Sequence, residues 1–169
     1  MAEIVYISLG SNLGDREKYL ASARSRIGVI EGIEVVAVSS IYLTQPIHMA
    51  SDAPSFLNQV IKVEYLYTPG ELLQATETIE QDMGRTDKGK RLPRTIDIDL
   101  LLFGTRIVST ERLKIPHPEI LKRPFVLVPL LQIDLELTHP VTGKQLSTHL
   151  KSGDIDSVII YKDHVARNV

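Results

Sequence analysis

Two hydrophobic periods alternate along the chain, and the switches between them mark its elements. The apolar run Ile4 to Leu9 reads as a short buried strand closed by Gly10-Ser11-Asn12. Asp15 suits a helix N-cap, and Tyr19, Leu20, Ala23, Ile27 and Ile30 follow at helical spacing until Gly28 and Gly32 weaken the end. From Ile33 to Thr44 the period returns to two, with Ile33, Val35, Ala37, Ser39 and Ile41 on one face. A loop punctuated by proline, Gln45 to Pro54, leads to a second long strand pattern from Phe56 to Tyr65, in which Asn58 is the odd polar residue. Thr68-Pro69-Gly70-Glu71 then combines a cap, a proline at the first helical position and a capping-box glutamate. Leu72, Leu73, Thr76, Ile79, Glu80 and Met83 continue that helix to Gly84.

The clearest strand is Thr95 to Phe103, ended by Gly104-Thr105, with a short returning strand at Arg106 to Ser109. Short helices are predicted at Pro118 to Lys122 and Val126 to Ile133, the latter carrying Pro129. The order β-α-β-β-α-β predicts a ferredoxin-like α+β fold: an antiparallel sheet with helices on one face, extended by C-terminal elements. No repeat or linker divides the 169 residues, so one domain over 1–169 is expected.

Composition narrows the class. The hydrophobic content of 43% fits an ordinary globular protein, and no apolar run approaches the roughly 20 residues of a membrane span. The N-terminal segment has no basic region followed by a small-residue cleavage site. With no cysteine, disulfides, thiolate metal sites and a cysteine nucleophile are excluded, and a cytoplasmic protein is the economical expectation. The net charge of −2 argues against a general binder of nucleic acid or membranes. Yet Arg85, Lys88, Lys90, Arg91 and Arg94 crowd one loop with only Asp87 to oppose them, and Arg112, Lys114, Lys122 and Arg123 form a second basic group. Local basic clusters on a nearly neutral chain suit a small polyanion.

Within the strand at 95–103, Asp97 and Asp99 share one face about 6.6 Å apart along the chain, opposite Ile96, Ile98, Leu100 and Leu102. Two carboxylates so placed repel each other, and strands disfavour aspartate. A divalent cation turns that repulsion into binding, and magnesium suits hard oxygen ligands together with substrate phosphates. Alone, such a pair also fits a merely solvated sheet face. The preceding basic loop favours a metal-bound polyphosphate, with arginines gripping its oxygens. Gly84, Gly89 and Pro93 give that loop the makings of a closing segment. Other chemistries lack support. Gly10 to Gly14 does not match a P-loop. The histidines at 48, 117, 139, 149 and 164 have no zinc-ligand spacing, and Ser11 has no nucleophile-elbow context.

The segment P-R-T-I-D-I-D-L-L-L-F-G at 93–104 closely resembles the signature of the 6-hydroxymethyl-7,8-dihydropterin pyrophosphokinases of folate biosynthesis. The pieces Y-I-S-L-G-S-N-L-G-D-R, S-S-I-Y-L-T-Q-P, F-L-N at 56–58, E-x-x-x-G-R at 80–85 and R-L-x-I-P-H-P at 112–118 follow in the family's order. The resemblance implies a ferredoxin-like fold and transfer of the β,γ-pyrophosphoryl unit of ATP to the hydroxymethyl oxygen of a reduced pterin. It implies two magnesium ions on Asp97 and Asp99, with Arg85 and Arg94 on the phosphates. Glu80, Lys88, Leu100, Arg112, His117 and Arg123 match nucleotide-side positions; Gly10, Thr44, Gln45, Ile47, Phe56, Asn58 and Phe125 match the pterin side. A flat heterocycle between Phe56 and Phe125, read along its polar edge by Asn58, is physically sound. The implied partners are ATP and the pterin alone, with no nucleic acid or membrane, acting on a monomer.

The chain departs from the family pattern in its loop. Arg91-Leu92-Pro93-Arg94 stands where R-W-G-P-R is common, one residue shorter and without the tryptophan. Lys114 and Pro118 replace a small hydroxyl residue and a tyrosine. Two rival functions use the same features. A metal-dependent nucleotidyl transferase or nuclease also needs paired aspartates and arginines, and differs in its products. An RNA-binding ferredoxin-like module needs stacking aromatics on the sheet, whereas aromatics are only 5% and the sheet face carries aspartates.

Overall fold

The computed structural model describes residues 1–45, 54–84 and 95–163. Its strands are β1 (Glu3–Ser11), β2 (Ile33–Val38), β3 (Ile41–Thr44), β4 (Phe56–Tyr65), β5 (Asp97–Phe103), β6 (Val108–Ser109), β7 (Lys114–Ile115) and β8 (Ile159–Lys162). The helices that build the core are α1 (Arg16–Gly28), α2 (Pro69–Asp82) and α3 (Pro124–Ile133). Both predicted caps form. The Asp15 side chain accepts from the Lys18 N–H at 3.2 Å. Thr68 and Glu71 complete a reciprocal capping box, each side chain bonding the other residue's backbone N–H.

The main sheet runs β5-β1-β4-β3-β8, and β2 lies beside β3 against the far half of β4. With every pairing antiparallel, this is the ferredoxin-like order, as expected. On one face α1 and α2 enclose a core built from Val5, Ile7, Leu9, Leu20, Ile27, Ile61, Leu72 and Phe103, among others. The C-terminal extension covers part of the opposite face: Val126, Leu127, Leu130 and Leu131 of α3 pack on Tyr6, Val60, Leu101 and Leu102. Those leucines interdigitate with the sheet as a second apolar layer, so the sheet is buried on both sides there.

Four details differ from the sequence pattern. The run from Ile33 to Thr44 is two strands, because Ser39 leaves the ladder. Its N–H donates to the Val60 carbonyl, and its hydroxyl donates to the Ser40 carbonyl while accepting from the Val60 N–H. Before that break the β2–β4 register slips between Val35 and Ala37, so Ala37 pairs with Lys62 and Val38 with Ile61. A second bulge lies between β1 and β5, where Tyr6 pairs with Leu102 but Ile7 with Leu100. The extra residue, Leu101, breaks the alternation: Leu102 joins the α3 side rather than the face of Ile96, Ile98 and Leu100, and Phe103 takes its place in the first core. Residues 118–122 form consecutive turns instead of a helix, with Ile120 N–H on His117 and Lys122 N–H on Glu119. Finally, the strand expected to return at 106–109 pairs with β7 in a small separate hairpin.

The hydrophobic pattern assigns no element to the tail after Lys151. In the structure it returns to the sheet as β8 beside β3, and Asp163 accepts from the Ser40 hydroxyl at 2.8 Å. Gln132 of α3 also bonds Ser40, accepting from its N–H and donating to its hydroxyl. One serine thereby joins the β2–β3 break, α3 and the tail.

Candidate active site

The site follows from register. Gly10 of β1 lies opposite Asp97 of β5 on one side and Asn58 of β4 on the other, and Tyr42 of β3 is opposite Asn58. Directly opposed residues in antiparallel strands point to the same face. Asp97, Gly10, Asn58 and Tyr42 therefore form one row, and Asp99 opposite Ser8 begins the next. Two strand spacings set Asp97 and Asn58 about 10 Å apart. This is the face that α3 covers farther along, at Tyr6 and Val60. The row is the end of that face beyond the start of α3.

Thr44 lies opposite Phe56 on this face, and the Asn58 side-chain N–H donates to the Thr44 hydroxyl at 2.7 Å. With that amide group committed, the Asn58 carbonyl oxygen turns toward Gly10: a Cβ added there would lie 3.3 Å from Oδ1 and 3.6 Å from Cδ1 of Phe56. The lack of a side chain at Gly10 keeps open the floor between the amide, the ring and the aspartates. The segment leading into Phe56 is held from below. Arg16 donates to the Ser55 carbonyl at 2.8 Å and to its hydroxyl at 3.0 Å, and the Asn12 amide donates to the Pro54 carbonyl at 3.2 Å.

Residues after β7 complete the other wall. The Ile115–Pro116 peptide is cis. The His117 N–H donates to the Leu101 carbonyl at 2.9 Å, which straps this loop to β5 beside Asp99. His117 Nδ1 accepts from the Glu119 N–H at 3.2 Å, so the neutral ring carries its proton on Nε2. Burial lowers the pKa of His117 below its ordinary value, and the negative charge of Asp99 opposes the shift. Arg123 precedes Pro124, the first residue of α3, and its guanidinium lies 5.8 Å from the centre of the Phe125 ring. Its Nη2 bonds the Glu119 carboxylate, while Nη1 lies 4.0 Å from Asp99 Oδ2.

Gly10, Thr44, Phe56, Asn58, Asp97 and Asp99 thus share one sheet face, with His117, Arg123 and half-buried Phe125 beside it. Gln45 is exposed directly after β3. Arg112 is held at α2 instead, donating to Glu77 at 2.5 Å, one turn before Glu80, whose side chain is buried. The side chain of Leu100 is also removed from the aspartates, being buried in the core under α1 and α2. Arg85, Lys88, Arg94 and Ile47 lie outside the described residues. The sequence reading passed over Glu119 and Glu77. Glu119 had a signal, its four-residue spacing from Arg123; Glu77 meets Arg112 across 35 positions, which no local pattern announces.

Asp97 and Asp99 fit magnesium: they are hard oxygen donors on one face, partly exposed, and that ion commonly takes one or two carboxylates and completes its shell with phosphates and water. Among the described residues no cluster of three or more such side chains forms a dedicated metal cage. The fold defines a class, a ferredoxin-like α+β protein, here with a pair of aspartates beside Asn58, Phe56 and the open floor at Gly10 on one sheet face.

The profile of the 7,8-dihydro-6-hydroxymethylpterin-pyrophosphokinase (HPPK) family matches residues 6–135. The 2-amino-4-hydroxy-6-hydroxymethyldihydropteridine pyrophosphokinase of Bacillus subtilis is 41% identical over 145 residues, 86% of this chain and 86% of that protein. The folic acid synthesis protein fol1 of Pneumocystis carinii is 42% identical over 149 residues, which cover 88% of this chain and 20% of that protein. The chain therefore spans about a fifth of the length of such fungal relatives. In structure, wild-type Plasmodium falciparum HPPK-DHPS with pteroate superposes with a TM-score of 0.69 at 15% identity, over 88% of this chain and 42% of that one. That likeness supports the fold. The chain belongs to the HPPK family.

Proposed function

We propose that this protein transfers the β,γ-pyrophosphoryl group of ATP to the hydroxymethyl oxygen of 6-hydroxymethyl-7,8-dihydropterin, releasing AMP and the pterin pyrophosphate. The observation that carries the assignment is the row Asp97–Gly10–Asn58, which sets an acidic pair beside a polar cradle on one open sheet face. Family membership supplies the substrates.

The chain's own residues have separable tasks. Asn58, its amide oriented by Thr44, reads the polar edge of the pterin, while Phe56 and Phe125 border the ring. Gly10 lets that ring approach the backbone. Asp97 and Asp99 hold magnesium, two ions in this proposal; bound there, the metal supplies neutralisation of phosphate charge. His117 offers an Nε2–H donor, and Arg123 a cation at the same edge. In-line transfer between bound substrates needs positioning and charge stabilisation more than covalent help. In this proposal Arg85 and Arg94 offset the charge that builds on the phosphates. The same proposal makes the chain a single-domain monomer of the cytoplasm, acting on small molecules. No described helix is long and apolar enough to cross a membrane.

Incubation with magnesium, ATP and the reduced pterin is expected to yield AMP and the pterin pyrophosphate. Asp97→Asn and Asp99→Asn should each lower kcat by roughly 100-fold or more with an unchanged circular dichroism spectrum. Release of inorganic pyrophosphate in place of AMP would point to the nucleotidyl-transfer alternative.

A further inference from the structure

Arg123 stands between two acids. Its Nη2 bonds the Glu119 carboxylate, whereas its Nη1 stops 4.0 Å from Asp99 Oδ2, well beyond the 2.7–2.9 Å of a charge-assisted hydrogen bond. A shift of about 1 Å would close that gap, and a guanidinium bonded to Asp99 would compete with any cation there. Glu119 is well placed to prevent this because its own base is fixed. Its N–H donates to His117 Nδ1 at 3.2 Å, its carbonyl accepts from the Lys122 N–H at 3.0 Å, and His117 is strapped to Leu101 of β5. The Phe125 ring, 5.8 Å from the guanidinium carbon, adds a further restraint.

We infer that Glu119 is a positioning residue: it tethers Arg123 away from Asp99, so that the Asp97–Asp99 pair takes a divalent cation and not the guanidinium. This rests on the assignment above, in which that pair binds magnesium. Without the tether the arginine is drawn onto Asp99. With both the tether and the arginine removed, this particular competition for Asp99 is gone.

The test is a double-mutant cycle read by Mn2+ binding to the nucleotide-free chain, using the electron paramagnetic resonance of free Mn2+ and calorimetry. Glu119→Gln is expected to weaken Mn2+ binding roughly five- to tenfold when Arg123 is present, and by no more than about twofold in an Arg123→Ala background. A simple loss of one negative charge would weaken binding equally in both backgrounds, and that result would overturn the tether. Restored affinity in Glu119→Asp, which keeps the carboxylate, supports it. Asp97→Asn separates the two claims. If it binds Mn2+ as the wild type does, the metal assignment fails whatever Glu119 does. If it loses Mn2+ while Glu119→Gln is unchanged, only the tether fails.

Discussion

At Gly10 the missing side chain belongs to the proposed pterin cradle. This residue sits between the acidic pair and the Asn58 amide, and a methyl group there would meet Asn58 Oδ1 at 3.3 Å and Phe56 Cδ1 at 3.6 Å. The backbone can take alanine, because Gly10 is a strand residue and is not among the glycines with positive φ. Gly10→Ala should therefore fold, yet raise the floor of the cradle by a methyl group. Its KM for the pterin is expected to rise about tenfold or more with a smaller change in KM for ATP, measured by initial rates. Equal effects on both substrates would show that Gly10 serves strand packing alone.

Among the elements, α2 is secured by its first turn. The Thr68–Glu71 box satisfies two backbone donors at an exposed helix start. Thr68→Ala should cost about 1 kcal/mol in urea unfolding and leave kcat within about twofold, since the box lies at the opposite end of α2 from Glu80. The turn after Thr138 depends on His139 keeping its Nδ1 free of a proton. His139 Nδ1 accepts from the Val141 and Thr142 N–H groups, and burial followed by the nearby charge of His149 lowers its pKa below the ordinary 6.5. A depressed native value means the unfolded chain binds the proton more readily. The stabilisation is complete above about pH 6.5 and lost as the pH falls toward the native value. His139→Asn should flatten the fall in stability between pH 7 and 5 seen in the wild type. These elements also show which parts of the sequence were readable. Capping residues and the span of β4 depend on neighbours in the chain, and they stand where the pattern put them. The Leu101 bulge, the Ser39–Ser40 break and the return of β8 depend on partners far away, as do the contacts of Arg112 with Glu77 and of Gln132 with Ser40. Periodicity has no access to those. Within the site, Asp97, Asp99 and Asn58 stand out as oddities of the strand pattern, Phe56 is marked only by the family resemblance, and Glu119 reads as an ordinary surface acid.

On the scale of the whole molecule, the sheet has two cores, and α3 decides where one ends and the site begins. The β-α-β-β-α-β unit buries only the face under α1 and α2. Tyr6, Val60, Leu101 and Leu102 on the other face are 3% exposed or less because α3 lies on them. Without that cover they would present an apolar surface to water next to the acidic row. The same helix starts directly after Arg123 and carries Phe125 in its first turn, so its packing also sets the edge of the site. Leu130 is fully buried in this second core. Truncating it to alanine removes buried apolar area and leaves a cavity against the sheet, at a cost of about 2–5 kcal/mol. If α3 belongs to the same cooperative unit as the sheet, Leu130→Ala will lower the midpoint of a single transition, with fluorescence and circular dichroism coincident. A second transition, with the sheet surviving after α3 has melted, would make α3 a separately docked cover. Either outcome reports directly on the site, because a helix that detaches before the sheet unfolds takes Arg123 and Phe125 with it. KM for the pterin should then rise at denaturant concentrations too low to disturb the sheet, and under a single transition it should stay constant until the whole fold is lost.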